Sequence, residues 1–569
     1  MNRATRLGAL LLACAGCAHV PARSVPATTS GPIDYDLPAP EPSATLPPPT
    51  SSVPAGAPST ASTEQAQAAA RLAVIRASVD ASLTAQAKVL WEAWTRGAPA
   101  DLDASLGRRE PVFSAATLAI LKDARERASG DERRALSLLH AFVVGEHLSE
   151  MAAATLPIHQ AALTWQGRAV PTFQVPALLA AEPDPARRAA LEHAWAEAER
   201  RSGAADEARW KGIAAAARRI GYDSLLSLAA ELRGEPIEAL AALARAVLDA
   251  TDAAHRALFQ ALAQLEMGKD LSGLRGRDLP RMLLASEDAH AFPSGRAGVD
   301  VRETLAALGL DLGGRPGVVL DLEPRQGKDP RPLALPIEVP GNVRVSFAPQ
   351  GGAAELRALL HEMGAAAFYA HVMAQPLEFR RLGTVTAECW AFLFEDLAGD
   401  PAWLAERTGL AESHVVPIVR AAAARRLHTA RTLAARILVE IARERDPAHA
   451  REAARAVLET AFAHPIEADE LELFFLERDP LLESADRLRA ILLAAQAESF
   501  LTGRAGASWW RSKASGKWLA AAFAEGSRLP PSELARTFGA TTLDAAALGA
   551  STRARAAAAG IRLAEAGQP

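Results

Sequence analysis

From about residue 64 onward, apolar residues recur at three- and four-residue spacing with few breakers, the pattern of amphipathic helices. It is clearest over Gln65–Arg96, Ala115–Ala128, Asp131–Glu150 and Asp184–Arg201, where abundant alanine keeps helix propensity high. Stops fall at Gly97-Ala98-Pro99 and Gly234-Glu235-Pro236. One stretch breaks the pattern. Between Gly317 and Gly352, Val318-Val319-Leu320-Asp321-Leu322 and Val343-Arg344-Val345-Ser346-Phe347 run apolar or alternate, with β-branched residues. Turn chemistry lies between them, at Lys328-Asp329-Pro330 and Val339-Pro340-Gly341-Asn342. The chain therefore predicts a mainly α fold, with a small antiparallel sheet over about 317–352. A strong helix follows over about 354–373, and a second over about 384–397.

At 569 residues and 49% apolar, the chain can bury a large core, as one big domain or two intimate lobes. A net charge of -5 without a dense Lys/Arg run argues against nucleic acid as a partner. Only 7 of the 62 basic residues are lysine, and the arginines, scattered along Glu- and Ala-rich helices, read as a solvated face. The N-terminus carries its own signal. Arg3 and Arg6 precede an apolar run, Leu7–Gly16, that is too short to span a bilayer.

Ala15-Gly16-Cys17 resembles a bacterial lipobox, in which the cysteine is lipidated and becomes the new N-terminus. Leu11-Leu12-Ala13-Cys14 is a weaker competitor, and ordinary cleavage after Ala15 is the alternative. Residues 1–17 are thus expected to be a signal peptide with Cys17 as the lipidation site. Pro21–Pro58 holds 11 prolines among 38 residues, too little apolar surface to fold, so 18–63 reads as a disordered tether. A helical domain over 64–560 and a tail over 561–569 complete the chain. The expected location is the cell envelope, as a lipoprotein anchored to a membrane through its lipid. Only Cys389 remains in the folded part, which excludes an internal disulfide framework.

The chemistry concentrates in Leu359-Leu360-His361-Glu362-Met363-Gly364-Ala365. A helix reading H-E-x-x-H puts two imidazoles on one face to share a zinc ion, with the Glu as general base on the metal-bound water. Here Ala365 occupies the second imidazole position. No local residue repairs the loss. Phe368 is back on the metal face, at about -20° from His361, but cannot ligate. His371 lies roughly -80° round and about 15 Å along the helix, and Cys389 points about 100° away from Glu388.

The order of motifs resembles the thimet oligopeptidase and oligoendopeptidase F family of zinc metallopeptidases. The likeness rests on Val339-Pro340-Gly341-Asn342-Val343-Arg344, Gly351-Gly352, Leu360-His361-Glu362-Met363-Gly364, and Arg381-Leu382-Gly383-Thr384-Val385-Thr386-Ala387-Glu388 with Ala391–Glu395. Leu488-Arg489-Ala490, Trp509-Trp510 and Gly516 before Trp518-Leu519 extend it to the tail. It covers about residues 64–560 and is tightest over 318–400. The resemblance implies a two-lobed helical fold with a deep central channel, cleaving short peptides with one zinc. It makes His361 the first ligand, Glu362 the base, and Glu388, 23 positions after Ala365, the third ligand. It also implies an oxyanion-stabilising tyrosine near Leu488-Arg489-Ala490. The chain has only Tyr35, Tyr222 and Tyr369.

With the second ligand and that tyrosine both missing, the expectation is an inactive peptidase homologue that holds peptides or an envelope protein. Its zinc is expected to be weak or absent, with no other cofactor, leaving Glu362 a vestigial base and His361 and Glu388 vestigial ligands. Two alternatives stand beside it: an active metallo-oligopeptidase completed by an unorthodox ligand, and a structural or partner-binding envelope protein. His361 and Glu362 can also be polar residues lining a wet channel. His414, His428, His449 and His464 read as satisfied histidines unless one reaches the site from another helix. Trp509 and Trp510 read as packing anchors.

Overall fold

Glycine and proline end the helices where the sequence places the stops. In a computed structural model describing residues 60–97, 111–153, 162–284 and 292–563, helix α1 (Thr60–Arg96) ends at Gly97, in the left-handed region at φ 64°. Leu225–Arg233 ends likewise at Gly234, φ 68°, and Pro236 then starts α2 (Ile237–Leu262). The expected helices appear as α1, Ala115–Arg127, Gly130–Ala153 and Pro185–Arg219. The first begins at Thr60, inside the segment expected to be tether. Cys17 and most of that tether lie outside the described residues. No described helix is long and apolar enough to cross a membrane.

Two small sheets interrupt the helices. β1 (Ala162–Trp165) and β2 (Arg168–Pro171) form an antiparallel hairpin that the hydrophobic pattern does not foretell; Gln166 and Gly167, both at positive φ, make its turn. The sheet expected over 317–352 consists of β3 (Val318–Asp321), β4 (Leu333–Glu338) and β5 (Asn342–Ser346), in the order β3-β5-β4. The sheet has an antiparallel pair, but it is β5 with β4, a strand the apolar runs do not single out; the two runs that do stand out, β3 and β5, pair in parallel, so this sheet is mixed. The crossover between β3 and β4 is pinned by Lys328. Its buried Nζ donates to Asp321 Oδ1 and to the carbonyls of Asp321, Glu323 and Phe347, all at 2.7–2.9 Å. Leu335 and Ile337 of β4 pack on Ala87, Leu90 and Trp91 of α1.

The helices that position the site are α3 (Arg296–Leu308), α4 (Ala353–His371), α5 (Thr384–Glu395), α6 (Glu412–Arg445), α7 (Glu483–Ala505), α8 (Lys513–Ala524) and α9 (Ala546–Ala558). They share the largest core with α2 and the mixed sheet. Helix α4 is buried on all sides, as a central helix must be. It meets α5 at Gly364, where a β-carbon would lie 2.9 Å from Phe394 Cβ. Trp509 and Trp510 are buried, Trp509 edge-on to Phe394 at 6.3 Å, which is the packing role expected of them. The N-terminal helices form a separate core with Leu225, Leu228 and Leu377.

The arginines depart from the expected solvated face. Arg188, Arg431, Arg436, Arg489 and Arg555 are buried, and Arg431 donates to the carbonyls of Leu248, Thr460 and Ala461. A guanidinium with five donors satisfies several backbone carbonyls at once, here those of Leu248, Thr460 and Ala461.

Helix α8 approaches α3 through Gly516, where an added β-carbon would fall 1.8 Å from the Leu308 carbonyl oxygen. Gly516→Ala must force these backbones apart and is expected to cost about 1–3 kcal/mol. A lowered midpoint in thermal or urea unfolding would record it.

Candidate functional site

Helix α4 carries His361 and Glu362, and α5 carries Glu388 and Glu395, seven residues apart and therefore on one face. Close packing at Gly364 presses that face onto His361. The Nδ1 of His361 lies 2.9 Å from Glu395 Oε2, and its Nε2 lies 3.9 Å from Glu388 Oε1. Exposures of His361, Glu362 and Glu388 are 0%, 3% and 2%, so these three are buried, while the Glu395 side chain stays 13% exposed. Phe392, one turn before Glu395, packs edge-on to the imidazole at 5.1 Å.

Glu362 turns away from His361. Its Oε2 accepts the backbone N–H of Ala334 at 2.6 Å, which ties α4 to the outer edge of β4. Neither oxygen of Glu388 has a hydrogen-bond partner, although both are buried.

Burial alone would keep His361 neutral. It is overcome by the hydrogen bond to Glu395 and the charges of Glu388, Glu395 and Glu362, which push the imidazole up to about 9. Desolvation is the largest influence on Glu395 too, and opposes its charge; the hydrogen bond and charge of His361, with Arg426 and Arg357, still hold it down to about 2. Burial pushes Glu362 up to about 8, and it raises Glu388 against the pull of His361 and Arg487. At neutral pH the cluster is therefore an imidazolium–carboxylate pair beside a protonated Glu362.

The donor set only half fits a zinc ion. Metal–ligand bonds of about 2.1 Å let two ligands of one zinc stand up to roughly 4.2 Å apart, so His361 Nε2 and Glu388 Oε1 could share one. A hydrogen bond from Nδ1 to a carboxylate is also the usual support for a ligating histidine. The second-ligand position is the methyl of Ala365, buried at 0% exposure. Among the described residues no three His, Cys, Asp or Glu side chains are placed to hold one metal ion. The residues do not fit a catalytic zinc.

The neighbours weighed as substitutes are engaged elsewhere. Phe368 packs edge-on to Phe523 at 5.9 Å. His371 bonds Arg315 at 3.0 Å and the Ala367 carbonyl at 2.7 Å. Cys389 is buried in the core, its thiol pushed up by desolvation. His449 pairs with Asp446 at the surface, and His464 with Glu470. His428 sits among Phe259, Phe462 and His464 rather than beside His361. Near Leu488-Arg489-Ala490 the charge of an arginine, Arg487, acts on Glu388.

Sequence reasoning brought out His361, Glu362 and Glu388 but passed over Glu395 and Arg487. The seven-residue step from Glu388 to Glu395 was the available signal for the first. The second needed the crossing of α7 over α5, which no local pattern encodes.

The protons give a testable pH dependence. His361 keeps a proton that the unfolded chain releases near 6.5, and Glu362 keeps one released near 4.5. Stability from His361 is thus complete below pH 6.5 and lost as pH rises toward about 9, with Glu362 adding in the same direction up to about 8. A tenfold change in proton affinity is worth about 1.4 kcal/mol, so the loss is on the order of a few kcal/mol. Urea unfolding from pH 6 to 9.5 should show it, and Glu395→Gln should flatten the slope by removing the partner of the imidazolium. The chain matches no model of a known protein family and no curated protein.

Proposed function

We propose that this chain is a non-hydrolytic relative of the oligopeptidases, with a two-lobed channelled fold, tethered in the cell envelope by a lipid on Cys17. Its former catalytic centre serves as a buried ion cluster that locks α4 to α5. The carrying observation is the His361–Glu395 contact at 2.9 Å, with His361 fully buried beside Ala365. Hydrolysis needs a water next to the base. Glu362 instead spends an oxygen on the Ala334 N–H, and burial pushes it up to about 8, both of which weigh against it as a base at neutral pH.

The same burial favours a scaffold or partner-binding role over one in which a peptide lies against His361. A second reading, an active metallopeptidase, draws support from Glu388, whose two buried oxygens lack partners 3.9 Å from His361 Nε2. The readings separate on purified protein. The first expects substoichiometric zinc and no cleavage of a mixed peptide library. It also expects Ala365→His to strengthen zinc binding at least tenfold, since restoring a whole ligand should exceed the roughly 10–100-fold of secondary contacts. One zinc per chain with chelator-sensitive cleavage would overturn it in favour of the second.

A further inference from the structure

Arg431 of α6 joins three helices, and a histidine stands on or just beyond each of them. Its guanidinium donates to the carbonyls of Ala461 at 2.7 Å and Thr460 at 2.9 Å, at the end of the helix Ala450–Phe462. It also donates to the Leu248 carbonyl at 2.6 Å and to Thr251 Oγ1 at 2.7 Å on α2. His255 belongs to α2 and His428 to α6, while His464 follows Ala463, which turns the chain at φ 58°. Phenylalanines stand between the imidazoles. His255 stacks on Phe259 at 4.2 Å, and Phe259 lies 5.8 Å from His428. Phe462 lies 5.0 Å from His428 and 5.9 Å from His464.

This junction has room for neutral imidazoles only. His255 is wholly buried, and neither of its ring nitrogens has a hydrogen-bond partner. The Nδ1 atoms of His428 and His464 are buried and unpartnered as well. An imidazolium donates from both nitrogens, so a proton gained here leaves a buried N–H without an acceptor. The charges around the set give it little relief. On α2 they are Asp249, Asp252 and Arg256, on α6 Arg431 itself, and on the helix Ala468–Leu476 Glu470, 3.0 Å from His464 Nε2. Asp252 is shared between Arg256 at 2.8 Å and Arg431 at 3.3 Å. The helix Ala450–Phe462 meets the set with Phe462 and the two carbonyls that Arg431 holds.

We infer that this junction is an acid-opened latch, in which protonation of His255 and His428 beside Arg431 parts α2 and α6 from the helices Ala450–Phe462 and Ala468–Leu476. Burial first, then Arg431 and the other two histidines, hold His255 well below its ordinary value. Burial, with His464 and Arg431, pushes His428 down to about 4. The open form takes up protons near 6.5 and the closed form resists them to about 4, so opening grows as pH falls through that window. The direction is opposite to the alkaline loss at His361, which already carries its proton.

Hydrogen exchange of the full chain at pH 7 and pH 4.5, corrected for intrinsic rates, tests the latch. Protection of residues 450–476 and of α2 should fall at least tenfold on acidification, while α4 and α5 keep theirs. His255→Phe and His428→Phe place apolar rings beside Phe259 and Phe462, and each should shrink that fall at least threefold. His428 is half-buried, so its variant serves even where replacement of His255 prevents folding. His449→Gln, at an exposed position just before the same helix, should leave the fall unchanged. An equal fall along the whole chain, or an undiminished one in His428→Phe, would overturn the latch. None of these histidines belongs to the His361 centre, so the result stands apart from the proposed function.

Discussion

The constraint on which the centre of this fold depends is the burial of one imidazole among three carboxylates. Each ion withdrawn from water costs several kcal/mol, and four such groups cannot all be charged between two packed helices. Protons resolve the conflict. His361 gains one and pairs with Glu395, Glu362 retains one, and Glu388 is shifted in the same direction. The arrangement holds only while α4 and α5 stay in register, which the contact between Gly364 and Phe394 enforces.

That register also sets what a substitution at this centre costs. Replacing a buried ion pair with apolar residues is tolerated when both partners go together, whereas removing one partner alone strands a charge and costs about 3–5 kcal/mol. Single substitutions at His361 or Glu395 are therefore penalised whether or not the site reacts. The second imidazole position carries no such penalty. Ala365 fills a fully buried position with a methyl group and leaves no charge unpaired.

Much of this was legible along the chain. Helices α1, α4 and α5 follow three- and four-residue apolar spacing, and Gly97 and Gly234 end helices because each takes a positive φ. Strands β3 and β5 of the mixed sheet are visible as β-branched runs, whereas β4 has a single β-branched residue, Ile337, and does not stand out. The parallel pairing of β3 was not legible, because direction depends on a crossover pinned by Lys328, a residue that alone reads as turn chemistry. The β1–β2 hairpin is only four residues a side, too short for alternation to stand out. At the site, His361, Glu362 and Glu388 were readable from a motif and its spacing. The closure of the site was not, since exposure belongs to the packed helices.

The arginines show the same limit from the other side. Spread through Glu- and Ala-rich helices they read as surface charge, because helical spacing gives a residue's direction on its own helix and nothing of what stands opposite. In the fold, Arg357, Arg426, Arg487 and Arg555 come from four helices to one wall. Their mutual repulsion is offset by Glu395, Asp396 and Glu498, the last pairing with Arg555 at 2.6 Å, and Glu395 is also the partner of His361. One carboxylate therefore serves two neighbours: whatever lowers the positive charge of the wall strengthens its hold on the imidazolium, and whatever removes the imidazolium returns its charge to the arginines. Helix α4 and the arginine wall are thus parts of a single electrostatic unit, joined at Glu395.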